Sequence, residues 1–221
     1  MFIGKRLERI KEMCKGSHVL ADIGCDHAYL PLSLVKDKII DYAYAIDNKI
    51  EPLNQAKKNI EKEGLSSQIE TILSDGLINL SDKEFDTVVM AGLGAITIIE
   101  IMGKSLDLFK DKTLILEANK GSKELRKFLM DNSYIIIDED IIEEANHFYE
   151  IIKTKHSFKK ENYTELELAF GPINLKNKKR ELFDYLNYNL EILNRVEDKR
   201  ETLIKKINLY RRALDEIRTD S

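Results

Sequence analysis

Short apolar runs rich in β-branched and aliphatic residues recur along the first half of the chain, at 18–23, 42–47, 68–73, 85–91 and 113–118. The segments between them are long enough for crossover helices, and this alternation predicts a parallel, doubly wound sheet with helices on both faces. Ahead of the first run, Ile3, Leu7, Ile10, Met13 and Cys14 recur at helical spacing, so the chain starts with an amphipathic helix. The rhythm then changes. Tyr134 to Ile142, Phe148 to Thr154 and Leu166 to Phe170 read as strands without a full helix between them, which predicts a hairpin closing one sheet edge. Gly171-Pro172 interrupts the strand pattern. Beyond it, Leu182, Leu186, Leu190 and Leu193, then Leu203, Ile207, Tyr210, Leu214 and Ile217, lie three or four apart. Each set makes an apolar seam along one helix, and an antiparallel coiled-coil hairpin would bury both. The expected division is therefore an α/β domain over 1–172 and a two-helix domain over 173–221.

A length of 221 residues accommodates one well-cored domain and a small appendage. The 43% hydrophobic and 33% charged residues are globular values, and no window approaches the roughly 20 apolar residues of a membrane span. The amino terminus lacks a long apolar core of signal-peptide type, so a cytoplasmic location is expected. Cys14 and Cys25 have neither CxxC spacing nor a surrounding ligand cluster, which predicts free thiols, no disulfide framework and no metal site. The net charge of −4 is uneven: residues 173–221 carry 12 Lys+Arg against 9 Asp+Glu, leaving 23 against 30 for the rest. Only the tail invites a polyanion.

In a doubly wound sheet, ligands sit beyond the carboxyl ends of the strands where strand order reverses, so the loop after the first strand is the first candidate site. That loop reads Asp22-Ile23-Gly24-Cys25-Asp26. A dinucleotide fold would place G-x-G-x-x-G there, whereas one glycine with two carboxylates makes a poor phosphate cradle. An acidic loop suits a cationic ligand, and S-adenosyl-L-methionine carries a sulfonium and an ammonium group, with Gly24 admitting close backbone approach. Asp47, 25 residues after Asp22 and followed by Asn48, stands where an acidic residue meets ribose hydroxyls. After the third strand, Asp75 can accept an adenine amino group beside Gly76. After the fourth, Ala91-Gly92-Leu93-Gly94 again brings backbone close to a ligand. Carboxylates and glycines after four successive strands together indicate a Rossmann-like class I methyltransferase, a class that implies a mostly parallel seven-stranded sheet with helices on both faces.

The chain resembles the bacterial tRNA (adenine-22-N1) methyltransferases over nearly its whole length. The residues that carry the resemblance are Lys5-Arg6-Leu7, the run Ala21 to Pro31 (A-D-I-G-C-D-H-A-Y-L-P), Asp75-Gly76-Leu77, Ala91-Gly92-Leu93-Gly94, and the stretch from Glu143-Glu144 to Tyr149-Glu150. Two departures stand out. Gly92-Leu93-Gly94-Ala95 replaces the family's Gly-Met-Gly-Gly, and Glu117-Ala118-Asn119 replaces its Gln-Pro-Asn, with Asn119 kept.

The resemblance implies methyl transfer to adenine N1 of a tRNA by an S-adenosyl-L-methionine-dependent enzyme. N1 is unprotonated at neutral pH and can attack the sulfonium methyl in line, so placement and charge stabilisation are needed rather than a strong base. Asp26 is expected to accept the target's amino hydrogen or face the forming cation. Tyr29 is expected to stack on the base, unless it starts the helix as a core aromatic, and Asn119 to hold the Watson–Crick edge. His27 is expected to orient Asp26 or touch RNA, or to be a loop histidine satisfied by backbone carbonyls. Arg6 is a candidate for the cofactor carboxylate. Because the reacting edge is paired in a duplex, the RNA must be gripped around an extruded base. Lys5, Arg6, Arg9 and Lys11, with the tail's Lys176, Lys178, Lys179, Arg180, Lys199, Arg200, Lys205, Lys206, Arg211 and Arg212, are candidate phosphate contacts. The tail reads equally as an appendage packed on the core. DNA and membrane partners are not expected, and a hairpin that completes its own seam predicts a monomer. The cofactor motifs alone leave open a small molecule or another RNA as substrate, and further off a non-catalytic RNA-binding protein.

Overall fold

The computed structural model describes residues 3–197 and 200–218. Helix α1 (Gly4–Met13) precedes the alternation β1 (Val19–Ile23), α2 (Tyr29–Lys36), β2 (Tyr42–Asp47), α3 (Ile50–Lys62) and β3 (Ile69–Leu73). After β3 come β4 (Thr87–Leu93), α4 (Ala95–Lys104), β5 (Thr113–Ala118) and α5 (Ser122–Asp131). Then β6 (Tyr134–Glu144) and β7 (His147–His156) lead to α6 (Glu165–Phe170), α7 (Pro172–Asn177), α8 (Arg180–Arg195) and α9 (Glu201–Arg218). The seven strands form one sheet in the order β3-β2-β1-β4-β5-β7-β6, parallel except for β7, which runs antiparallel to both neighbours. The order reverses between β1 and β4, and this switch point opens a crevice at their carboxyl ends.

Burial on both faces explains the almost unbroken apolar runs of β1, β4 and β5. One face packs Ile10 of α1, Leu32 of α2 and Leu53 and Ile60 of α3 against Leu20, Val89 and Ile115. The other packs Ile98 of α4 and Leu125 and Leu129 of α5 against Val88, Leu114 and Leu116. Hairpin β6–β7 turns through Ala145 and Asn146, both left-handed (φ +50° and +62°), as a two-residue primed turn requires. Both cysteines are free and buried. Among the described residues, no helix is long and apolar enough to cross a membrane.

Two elements differ from the pattern-based expectation. Leu166 to Phe170 is helix α6, not a strand: Thr164 Oγ1 accepts the Glu167 N–H (3.2 Å) while Glu167 Oε2 accepts the Thr164 N–H (2.7 Å), a capping box that commits the segment to helix. Alternating Leu166, Leu168 and Phe170 imitate a strand over so few residues. Between β3 and β4 there is no crossover helix either. The segment holds one 3₁₀ turn, Ile78–Leu80, anchored by buried Leu77 and Leu80.

In the tail, Phe183 near the start of α8 lies under the Arg218 guanidinium at the end of α9 (5.4 Å), and Tyr185 faces Tyr210, so the two helices run antiparallel. Leu182, Leu186, Ile207, Tyr210, Ala213, Leu214 and Ile217 are buried. That seam continues into Ile141, Leu166, Phe170 and Leu175, so the helix pair shares a core with β6, α6 and α7.

Beside it lies a buried ionic network. Arg126 of α5, fully buried, donates from Nε to Glu139 Oε1 and from Nη2 to Glu150 Oε2, both at 2.7 Å. Its Nη1 reaches the carbonyls of Leu168 and Ala169 (3.3 and 3.4 Å). Glu139 Oε2 also accepts the Ile173 N–H (3.1 Å). Burial raises the Glu139 carboxyl above its ordinary range, against the opposing pull of Arg126. Gly171 (φ +94°) passes so close that a Cβ there would overlap the Glu139 carboxylate.

Candidate active site

Strand β1 runs into a tight loop. Gly24 is left-handed (φ +79°), and its N–H and that of Cys25 both donate to Ile46 O of β2 (2.8 and 3.0 Å). Asp26 and Ala28 are left-handed as well (φ +49° and +59°), a conformation that costs a non-glycine residue about 1–2 kcal/mol and concentrates at functional sites. The loop leaves Asp26 exposed and buries Ala28 ahead of α2.

A cleft of about 270 Å³ lies at the switch point, and it brings together Gly24, Asp26, Asp47, Asn48, Asp75, Gly76 and Leu93 of the expected cofactor residues. Lys49, Ser74, Thr97 and Ile101 also line it, residues that no strand-end rule singled out. Asp47 Oδ1 accepts the Lys49 N–H (3.0 Å), which fixes the carboxylate at the end of β2. Asp75 is ion-paired with Lys104 of α4. Gly76 (φ +69°) is set by α4 rather than by space for a base alone, since a Cβ there would come within 2.7 Å of Ile101 Cγ2.

The remaining expected residues stand around the cleft without lining it. Asp22 is buried behind the loop (5% exposed). Burial, and then the charge of Asp47, push its carboxyl up to about 7. Cys25 is buried beside it, and burial likewise raises its thiol. Two neighbouring carboxylates and no lysine or arginine ion-paired to Asp22 among the described residues favour a cationic ligand. An acid whose folded pKa exceeds its unfolded value loses stability as pH rises between the two. The ligand-free protein is therefore expected to weaken by up to about 4 kcal/mol from pH 4 to 7 through this group, and Asp22→Asn to flatten the profile in urea titrations.

Arg6, the candidate for the cofactor carboxylate, is engaged within the protein. Its Nη1 donates to Glu117 Oε2 (2.5 Å), its guanidinium lies 5.2 Å from the Tyr149 ring centroid, and it does not line the cleft. Two further α1 cations are engaged too, whereas the Lys5 side chain is exposed and has no ion pair among the described residues. Arg9 holds Asp138 and Asp140 (3.0 and 2.8 Å) and Lys11 is ion-paired with Asp37, so this helix offers phosphates less than its composition suggested. In the tail, Lys179 binds Asp140, Arg180 meets Asp184, and Arg212 meets Glu165. Lys199 lies outside the described residues.

Glu117, which strand reading placed in β5 without a role, organises the far side of the cleft. Fully buried, its Oε2 accepts both the Arg6 Nη1–H and the Gly92 N–H (2.8 Å). Asn119 Nδ2 donates to Gly92 O (2.7 Å), and the Asn119 N–H donates to Leu93 O (2.8 Å). Gly92 (φ +77°) is thus clamped through both backbone groups at the bulge where the β4–β5 register shifts. Ala91 precedes this bulge, and Gly94 follows it as N-cap of α4. Glu117 Oε1 is buried with no partner among the described residues. Glu117→Gln, which retains an acceptor, is expected to change stability by under about 1 kcal/mol. Glu117→Ala, which orphans Arg6 and the Gly92 N–H, should cost about 1–3 kcal/mol in denaturant titrations.

His27 Nε2 lies 3.5 Å from Asp26 Oδ1, and its ring is 5.5 Å from that of Tyr29. Its Nδ1 is buried with no partner among the described residues, so none of their backbone carbonyls satisfies it. Tyr29 is 46% exposed and is not a core aromatic. The Gly92–Leu93 segment connects the two halves of the site: Leu93 lines the cleft with Asp26, and both residues are bonded to exposed Asn119.

The strand order, the acidic cleft at its switch point and the glycine turns around it define a methyltransferase of the Rossmann-like class, and residues 3–152 match the methyltransferase domain family. The chain belongs to the tRNA (adenine(22)-N(1))-methyltransferase family: it is 34% identical to the Bacillus subtilis enzyme of that name over 76% of its own length and 71% of that protein's. Mycoplasma capricolum TrmK, solved with S-adenosyl-homocysteine, superposes with a TM-score of 0.86 at 34% identity, covering 99% of this chain and 100% of that one. A Streptococcus pneumoniae protein solved with S-adenosyl-L-methionine gives a TM-score of 0.91 at 30% identity, covering 96% and 100%.

Proposed function

We infer that the protein transfers a methyl group from S-adenosyl-L-methionine to N1 of adenine 22 in tRNA. The observation that carries this reading is the acidic cleft at the β1/β4 switch point, joined through Gly92 and Leu93 to Asn119, in a chain of this family. When bound, S-adenosyl-L-methionine supplies a methyl group on a cationic sulfur. The residues present fit it: Asp22 is buried with no ion-paired cation among the described residues, Gly24 lets the backbone approach, and Asp47 and Asp75 line the cleft, where they would accept ribose hydroxyls and an adenine amino group.

Attack by adenine N1 moves positive charge onto the base. Asp26, exposed and lining the cleft, would accept the target's amino hydrogen and stabilise that charge, with His27 orienting it and exposed Tyr29 offering a stacking face. Asn119, its amide nitrogen held on Gly92, keeps a carbonyl for the Watson–Crick edge. Residues 1–172 would hold cofactor and base and the helix pair after 172 would act on RNA. A seam that closes within one chain supports a monomer, and a tRNA substrate supports a cytoplasmic location.

Incubation with unmodified tRNA and S-adenosyl-L-methionine, followed by nucleoside analysis, tests the reading. It requires 1-methyladenosine that disappears when adenine 22 is replaced by guanine. Methylation at another position, or of no tRNA, overturns it.

A further inference from the structure

Beyond Asn119, two cavities of about 330 and 450 Å³ adjoin between the start of α5 and the helix pair, with Gly121, Ser122, Glu150, Tyr185, Lys206 and Tyr210 common to both. Each is within the usual size of ligand sites. The first starts at Asn119 and the second reaches Thr202 and Lys205 on α9, so together they form a trough leading away from the active site.

The charge on the trough is uneven. On its floor, Glu150 is paired with Arg126, which it shares with Glu139, and also accepts the Tyr185 hydroxyl (3.3 Å). Glu165 is paired with Arg212 (3.0 Å), and Lys205 with Glu201 (2.6 Å). That leaves Lys120, Lys123 and Lys206, all exposed and without an ion pair among the described residues, against Glu124 alone. The rim is therefore positive. One wall is aromatic: Phe148 of β7 stands between Tyr185 and Tyr188 of α8, with ring centroids 5.6 and 5.5 Å away, and Tyr188 is 46% exposed. The left-handed turn of the β6–β7 hairpin sets Asn146 and His147 beside them.

Free lysines along a groove with accessible aromatic faces are the combination that binds single-stranded nucleic acid: phosphates meet the cations, and bases stack whatever their sequence. We propose that this trough binds the unpaired RNA segment adjoining the adenine presented at Asn119, one base stacking on Tyr188 and Phe148 while its phosphates meet Lys206 and Lys123. The proposal rests on the tRNA methyltransferase reading above and adds to it a site for the flanking nucleotides. Gripping them would hold the extruded base in place, a task the acidic cofactor cleft is unsuited to.

Tyr188→Ala and Lys206→Glu test it, both at exposed positions that leave the buried seam intact. Three readouts are needed: KM and kcat on full-length tRNA at several salt concentrations, cofactor affinity by calorimetry, and anisotropy of a labelled single-stranded RNA of about ten nucleotides, a length within the usual site sizes. Tyr188→Ala should raise KM and weaken oligonucleotide binding about tenfold, with kcat within about twofold of wild type and cofactor affinity unchanged. Lys206→Glu should do the same and reduce the salt slope by about one. Folded variants with wild-type KM, oligonucleotide affinity and salt slope overturn the proposal. A wild-type protein that binds the oligonucleotide in a Tyr188- and Lys206-dependent way but methylates no tRNA would leave the trough assigned and remove the tRNA reading instead.

Discussion

Arg126→Met should destabilise the fold by about 3–5 kcal/mol, because it strips the cation from two buried carboxylates, Glu139 and Glu150. It also removes the donor to the carbonyls of Leu168 and Ala169, where α6 meets α5. The loss should depend on pH. Without the guanidinium, the Glu139 carboxyl, already raised by burial, gains stability by protonating, so the variant is expected to recover part of the deficit as pH falls from 7 towards 5, and urea midpoints at both values measure it. A triple variant with Glu139→Gln and Glu150→Gln should regain most of the loss at neutral pH. A single variant of wild-type stability would show that the network contributes nothing.

Asp26→Asn should reduce methyl transfer to tRNA about 100-fold or more while leaving cofactor affinity within about twofold. The substitution keeps shape and an acceptor oxygen but removes the charge, so it separates charge stabilisation from simple hydrogen bonding. Asp47→Ala gives the complementary result if the assignment holds, with weakened cofactor binding shown by a smaller ligand-induced thermal shift. Full turnover by Asp26→Asn would remove Asp26 from the chemistry.

Much of this architecture is legible in the amino-acid order because buried parallel strands announce themselves. Val88, Val89 and Met90, or Leu114, Ile115 and Leu116, have no polar side to hide, and their ends locate the cleft by a general rule of α/β topology. Asp47 and Asp75 were visible as carboxylates at strand ends, and the structure brings both to the cleft. What stayed hidden depends on contacts between distant segments. Glu117 reads as one polar residue in an apolar strand, yet its role is set by Arg6, 111 positions earlier. Likewise, nothing in the order of residues pairs Arg9 with Asp138 and Asp140, so α1 reads as a basic patch although three of its four cations, Arg6, Arg9 and Lys11, are paired. Leu166 to Phe170 failed for a different reason: three alternating apolar side chains are too few to distinguish the two periods, and the capping box at Thr164 decides.

The core that the helix pair shares with β6, α6 and α7 sets an order for events on the ribosome. Ile141, Leu166 and Phe170 are translated well before α9, which supplies Tyr210, Leu214 and Ile217 to cover them. At roughly 5–20 residues per second, the interval between Phe170 and Ile217 lasts a few seconds, in which the nascent chain carries a finished cofactor-side sheet and an uncovered apolar flank. A polypeptide that stops within that interval leaves Ile141, Leu166 and Phe170 without the cover of Tyr210, Leu214 and Ile217.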